Sequence, residues 1–466
     1  MLVKKKLLFV LIIVQSFLLF SPLLSVYFSQ DDFFILEISH VIKVSDFFHF
    51  FIPRPDVQFY RPLGSETFFW LGRSIFGWNA PAFHLFLWPF FIFSIFLVYK
   101  ISKKILKSSR GGLIILLWYG TSAVHYNTLS WLANSSYSIG AFLFFLCFYI
   151  FIYFKPSSVR TFSLCFIFLL ALLTNEFTFL LPFVLFIFEL LTKGKNSLKL
   201  GKRLFVSLGI IMLGYGMLRS VFRSDLASYP VSLNQSIISS YRFFLLYFLN
   251  WPEAVKDNFL KYWMIRPEFV NTFHTETAVW MLNTVSVFAV ALFPLFILFK
   301  KHMIHKRDYV TILFLLFWLL ISLSPIVIIP SHIAPHHGSI SLLPFLILIF
   351  YPVIKISLKS LKYQIICLFA ILIWVYASII TVKFDQDNHW IKRRADIAKY
   401  WIGEADKKRD IIQSSNKVVI NKDDKEIQVA LFDEKAFREY FNNSGLTVVY
   451  QKESSGSTLY SPILLK

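Results

Sequence analysis

The chain has 466 residues, of which 56% are hydrophobic, 19% aromatic and only 16% charged, with 55 Phe. An ordinary soluble domain carries about a quarter charged residues, so this composition excludes the set of water-facing domains, roughly three, that the length alone would suggest. The formal net charge of +20 sits in short clusters between apolar runs rather than on a contiguous basic face, which argues against a nucleic-acid binder.

In chain order, Lys4, Lys5 and Lys6 precede an apolar run at 7–27. It is too long for the core of a signal peptide, and no small-x-small cleavage site follows, so it reads as an uncleaved first membrane span. Further runs of spanning length lie at 82–101, 111–129, 135–154, 161–173, 177–191, 204–222, 278–299, 309–329, 341–356 and 365–382, eleven in all. Basic clusters occupy 100–110, 155–160, 193–203, 300–307 and 355–362. With the N-terminus inside and sides alternating at each span, every cluster falls inside, while the short outer turns at 130–134, 174–176 and 330–339 carry no Lys or Arg. The positive-inside rule therefore predicts a multi-pass protein of the cell (plasma) membrane, N-terminus cytoplasmic and C-terminus outside.

Three long segments are left on the outer side: 29–81, 223–277 and the stretch from 383 onward. Stretches 33–44 and 64–76 have the spacing of amphipathic helices lying in the interface. The run 243–251 is apolar but too short to cross. The expected fold class is an all-α polytopic membrane protein, with a transmembrane module over 1–384 and a small extramembrane α/β cap over 385–466. In that cap 417–420 and 427–432 have strand character. Cys147, Cys165 and Cys367 all lie inside apolar runs, with neither disulfide nor zinc spacing. No internal repeat and no Gly-rich phosphate loop is seen.

Chemistry concentrates on the outer side. Asp31 and Asp32 directly follow the first span, and adjacent carboxylates at a membrane surface repel each other and lose hydration. The bland alternative is a solvated acidic helix end. Tyr60, Arg61 and Glu66 follow in the first loop, His84 opens the second span, His125 and Asn127 close the third, Glu176 sits in an outer turn, and His332, His336 and His337 decorate another. Ionisable groups gathered at one end of a bundle suit a single outward-facing cavity.

The run Gln58-Phe59-Tyr60-Arg61-Pro62-Leu63, continuing through Phe76-Gly77 to Ala82-Phe83-His84-Leu85, resembles the first-loop signature of GT-C membrane glycosyltransferases. More narrowly, it is similar to the transmembrane O-mannosyltransferases with tetratricopeptide repeats and their bacterial relatives. Asp31-Asp32-Phe33 resembles their first-loop acidic motif, Ala123 to Asn127 their "PVHxE", and Thr174-Asn175-Glu176 their "KE" turn. The resemblance covers 31–182; beyond that only the hydropathy profile is similar. Asn127 replaces an acid, Asn175 a lysine, and His336-His337 an Arg-Tyr-rich segment, while the repeats themselves are absent.

The resemblance implies a GT-C bundle that takes a sugar, mannose by default, from a polyprenyl-phosphate carrier among membrane lipids to a hydroxyl of a protein, glycan or lipid acceptor, with inversion. A carboxylate would deprotonate the acceptor, with Asp32 placed slightly ahead of Asp31. Arginine suits the departing phosphate because its planar fork donates two hydrogen bonds. Arg61 beside Tyr60 comes first, then Arg219 and Arg223, whose plainer role is snorkelling to headgroups. Lys392, Arg393 and Arg394 are expected on anionic lipid. His125 and Glu176 would order the sugar site; one His and one Glu fall short of a closed metal site, so no metal is assigned and a divalent cation stays open. The His332, His336 and His337 group, broken by Pro335, reads as a satisfied interfacial cluster. The rival readings are a flippase or transporter of lipid-linked sugars, which should place charges at the midplane on repeated broken helices, and a non-catalytic scaffold.

Overall fold

The computed structural model describes residues 2–465 apart from 55, 56, 58, 194, 222–229, 262, 263, 301, 304, 357–360 and 452–462. Seven helices are long and apolar enough to cross a bilayer: Lys6–Ser25, Ala80–Leu106, Leu132–Tyr153, Gly201–Ser220, His274–Lys300, Lys306–Val327 and Gln364–Asn388. The chain is an integral membrane protein. Local chemistry sets the boundaries. The Asn79 side chain accepts from the amide of Ala82 to start the second of these helices, with Pro81 in its first turn, where the missing N–H costs nothing. Ser108 and Ser157 cap other helices in the same way. Pro89, Pro294, Pro325 and Pro352 sit inside helices, which neighbouring helices tolerate in a membrane bundle.

The other four expected spans are also helical but short: Ser109–Gly120, Ser158–Leu172, Leu181–Lys193 and Leu342–Ile356, of 12, 15, 13 and 15 residues. At about 1.5 Å per residue none reaches the ~30 Å of a hydrocarbon core unaided. The expected span 111–129 ends at Gly120 for an identifiable reason. Ser122 is extended, and the side-chain oxygen of Asn250 accepts from the Ser122 hydroxyl at 3.3 Å and the Ala123 amide at 2.9 Å. The chain then folds into three buried turns, Ala123–His125, Tyr126–Ser130 and Leu132–Asn134. Asn175 does the same between the next pair, capping the turn Glu176–Leu180 through the amide of Phe177. Aromatic faces bind the bundle together: Trp118 stacks on Trp374 at 4.1 Å and Trp318 on Phe148 at 4.8 Å.

The segments expected outside differ from the simple amphipathic picture. Within stretch 33–44 the helix Asp31–Ile38 ends and another, Val44–His49, starts, and the first is covered instead of lying free in the interface. Phe34 stacks on Phe432, Glu37 pairs with Lys435, and His40 bonds Glu439 at 2.6 Å. Stretch 64–76 begins with a π-helical turn, Pro62–Thr67, that runs into the helix Phe68–Phe76. Gly64 is required there, because an added Cβ would stand 2.8 Å from the Cβ of Ser136. The run 243–251 is the end of the helix Ser236–Phe248 and the turn beyond it.

Past residue 388 the chain forms the helix Trp390–Asp406 and a parallel three-stranded sheet. Its central strand, Lys417–Ile420, pairs with Thr447–Tyr450 on one side and Ile463–Leu465 on the other. The strand expected at 427–432 is instead the helix Lys425–Leu431. Asp424 caps its start by accepting from the Glu426 amide, Phe432 closes it in the left-handed conformation, and Ile427, Ala430 and Leu431 are buried on one face. Period 2 and period 3.6 look alike over so short a run, and the cap residues decide.

Candidate functional site

The first span gives way at Gln30 to a positive φ of 54°, a conformation that costs a non-glycine residue about 1–3 kcal/mol and must be held by its surroundings. The Gln30 amide donates to the carbonyl of Ala430 at 2.9 Å, and its side-chain oxygen accepts from Nη1 of Arg394 at 2.7 Å. The C-terminal segment thus clamps the turn that presents Asp31 and Asp32.

The two carboxylates then diverge. Asp32 is buried, with Oδ2 accepting from the Ser29 amide at 2.9 Å and Oδ1 from the Ala133 amide at 2.6 Å. Burial pushes its pKa well up, against the pull of those two donors. Both oxygens fasten one loop to another. Asp31, one residue earlier, is partly exposed, and among the described residues its carboxylate takes no hydrogen bond or ion pair. Burial raises its pKa from 3.8 to about 6, with Arg394 and Arg61 pulling the other way. Hydrogen-bond accounting thus sets the pair apart: Asp32 spends both oxygens on backbone amides, and Asp31, among the described residues, spends neither.

Arg61 is buried and clasps Glu176 through two bonds, Nε to Oε2 at 2.8 Å and Nη2 to Oε1 at 2.5 Å. It also donates to Ser136 Oγ and Tyr137 OH, each at 3.2 Å, and lies against the rings of Phe59 and Tyr137. These bonds use four of the five N–H groups of a guanidinium. Burial pushes the Glu176 pKa up, but Arg61 pulls it down further, to about 2. Burial lowers the His337 pKa to about 3, with Arg61 adding to the effect. His337 is then neutral, its Nδ1–H facing the Ala334 carbonyl at 3.3 Å and its Nε2 accepting from Tyr137 OH at 3.1 Å. A directed chain results: carboxylate, guanidinium, phenol, imidazole, backbone carbonyl.

Several expected site residues lie elsewhere. His125 is buried between Phe91 and Tyr119, with Nε2 on the Tyr119 carbonyl at 2.9 Å, and burial lowers its pKa to about 4. It is a core histidine, turned inward by the 3-10 turn that ends on it. Tyr60 donates its hydroxyl to the Phe51 carbonyl at 3.0 Å. His84 is buried against the Val26 carbonyl at 3.0 Å. Arg219, near the end of the helix Lys195–Val221, is within electrostatic reach of Glu176. Arg223 lies outside the described residues.

Arg394, read from sequence as a lipid contact, belongs beside Asp31. It stacks over Trp390 at 4.9 Å and donates Nη1 to Gln30, while its buried Nε lies 3.8 Å from the Glu426 carboxylate. Of the other two basic residues of that run, Lys392 pairs with Asp396 and Arg393 with the same Glu426. A second polar cluster joins Asn127, which the sequence marked, to Glu253 and His389, which it did not. Glu253 Oε2 accepts from Asn127 Nδ2 at 2.6 Å and from His389 Nε2 at 3.0 Å. Among the described residues no group of three or more His, Cys, Asp or Glu could hold a metal ion.

No family model and no curated protein matches the sequence. Among solved structures the chain is similar to an Archaeoglobus fulgidus oligosaccharyltransferase complexed with zinc and sulfate, at TM-score 0.48 and 10% identity over 95% of this chain and 62% of that one. It is also similar to the Archaeoglobus fulgidus oligosaccharyltransferase AglB with an inhibitory peptide and a dolichol-phosphate, at TM-score 0.48 and 11% identity over 96% of this chain and 64% of that one. The chain thus spans less than two thirds of the length of either.

Proposed function

We propose that this protein is a membrane glycosyltransferase of GT-C type that moves a sugar from a polyprenyl-phosphate donor to an acceptor hydroxyl on the non-cytoplasmic side. The observation that carries the reading is Asp31: an unpaired, raised-pKa carboxylate between Arg61 and Arg394 at one end of a bundle of membrane helices. A general base works best with a pKa near the working pH, and Asp31 at about 6 suits that role where an ordinary surface Asp does not.

In the proposed step Asp31 takes the proton of the acceptor hydroxyl as its oxygen bonds to the anomeric carbon. The bond from that carbon to the carrier's phosphate oxygen breaks on the opposite face, inverting the centre. Arg394, with Nη1 on Gln30 and Nε near Glu426, brings positive charge to the neighbourhood of Asp31, where the phosphate would lie. Arg61, mostly committed to Glu176, Ser136 and Tyr137, positions the site and supplies positive potential. The first-loop resemblance supports mannose as the first sugar to try, and the placement of basic clusters supports the outer face as the working side.

The test uses purified protein with a polyprenyl-phosphate mannose and, in parallel, polyprenyl-phosphate glucose, with peptide, glycan and lipid acceptors. Released polyprenyl phosphate is the readout. Asp31→Asn should lower the rate by about 10²–10⁴-fold. Absence of release from the unaltered protein across these donors and acceptors would end the transferase reading, while full activity in Asp31→Asn would end the assignment of the base.

A further inference from the structure

Two membrane helices bring cations together around a second recess. Ala80–Leu106 ends on Lys103 and Lys104 with Lys107 just beyond it, and Lys306–Val327 starts from Lys306 and Arg307. These five cations rim a cleft of about 1030 Å³. Its lining contains no Asp or Glu among the described residues. The nearest acid on the returning helix, Asp308, is occupied by Lys355 at 2.6 Å and by the Tyr351 hydroxyl at 2.6 Å. Glu189, beside the lining residue Phe188, is buried and within electrostatic reach of Arg160.

The interior of the cleft has a different character. Phe188, Leu191 and Phe314 supply an apolar floor, and Tyr153 forms a ledge beneath Lys104, whose Nζ lies 5.3 Å from the ring centre. The Ser108 hydroxyl lies at the mouth, capping the helix Ser109–Gly120. Positive rim and greasy floor together match a molecule with an anionic head and hydrocarbon tails. Lysines at the end of a helix ordinarily offset its dipole or snorkel to headgroups in general. That role needs neither convergence from two helices nor an apolar recess between them.

We infer that this cleft is a binding site for an anionic phospholipid, with the phosphate held by Lys103, Lys107 and Arg307 and an acyl chain lying over Phe188 and Phe314. The juxtaposition is independent of the proposed transferase activity, since the cleft shares no lining residue with the Asp31 site. Each cation near an anionic headgroup strengthens binding severalfold, so three act together by about a hundredfold.

The experiment reconstitutes the full chain in nanodiscs with equimolar phosphatidylglycerol and phosphatidylcholine, then counts lipids retained on release by native mass spectrometry. Three proteins are compared: the unaltered chain, the triple variant Lys103→Gln, Lys107→Gln and Arg307→Gln, and a charge-matched control, Lys399→Gln, Lys417→Gln and Lys422→Gln, on exposed positions of the C-terminal segment. The unaltered chain and the control should retain phosphatidylglycerol preferentially, and the cleft variant should lose that preference by about tenfold or more. Inorganic pyrophosphate, offered as a soluble anion, should not displace the lipid. Equal retention of both lipids by the unaltered chain, an undiminished preference in the cleft variant, equal loss in the control, or displacement by pyrophosphate would each overturn the assignment.

Discussion

Replacing Arg61 by Met should be the most damaging single change at the site, and the structure says why. The side chain is 8% exposed and its partner Glu176 27% exposed, so bulk water reaches the carboxylate only in part. Removing Arg61 strands that carboxylate and takes one donor each from Ser136, which keeps Asn175, and from Tyr137. Breaking a buried pair from one side costs about 3–5 kcal/mol, and the partial exposure of Glu176 places this case near the lower end. Glu176→Gln keeps one acceptor oxygen and should cost about 2 kcal/mol. The double variant, Arg61→Met with Glu176→Gln, should be less destabilised than the sum of its parts by about 1.5–3 kcal/mol. Glu176 has its pKa lowered from 4.5 to about 2, so the pair's contribution is fully present above pH 4.5 and is lost as pH falls toward 2. Denaturant unfolding in one detergent, followed by tryptophan fluorescence, measures all four proteins. Single variants costing under about 1 kcal/mol, or additivity within about 0.5 kcal/mol, would refute the reasoning.

Three further outcomes follow from the same geometry. Asp31→Asn should leave the fold intact and, above pH 6, stabilise it. The carboxyl's pKa is raised from 3.8 to about 6, so ionising it in the folded state costs up to about 2–3 kcal/mol, a gain that thermal unfolding at pH 5 and pH 8 would reveal; the transferase rate of the unaltered chain should rise as pH passes through about 6. Asp32→Asn should behave in the opposite way, destabilising by about 1–3 kcal/mol because an amide nitrogen would face the Ser29 or Ala133 N–H; a variant as stable as the unaltered chain would remove Asp32 from its structural role. Gly64→Ala should cost about 1–3 kcal/mol by pressing a methyl on Ser136 and the Thr174 backbone, and should disturb Arg61 three residues away; unchanged stability and activity would mean that the π-helical turn gives way freely.

The bundle was legible because membrane spans write themselves in long apolar runs, and a helix stands at each of the eleven runs. Where the reading departed from the structure, a side chain distant in sequence had overridden a local pattern. Asn250 stops the third run 128 residues before its own position by taking the Ser122 hydroxyl and the Ala123 amide. Hydropathy sees the run and cannot see the visitor. The segment 427–432 failed for a nearer cause: its β-branched and aromatic residues look like a strand, but Asp424 and Phe432 at its ends are a cap and a stop.

The site was half legible, and the division follows one rule. Sequence marks which residues are ionisable at membrane depth, and it found Asp31, Asp32, Arg61, His125 and Glu176 by that mark. It does not tell how many of each group's bonds the fold has already spent. Asp32 spends both oxygens on backbone amides, His125 spends its ring on aromatic neighbours and a carbonyl, and Arg61 spends four of its donors on Glu176, Ser136 and Tyr137. Asp31 among the carboxylates keeps its capacity, and Arg394 is within electrostatic reach of it. Arg394 lies more than three hundred residues along the chain from Asp31, so only the folded clamp at Gln30 brings it near. Reactive capacity is what remains after the architecture has been satisfied, and at this end of the bundle it remains around Asp31.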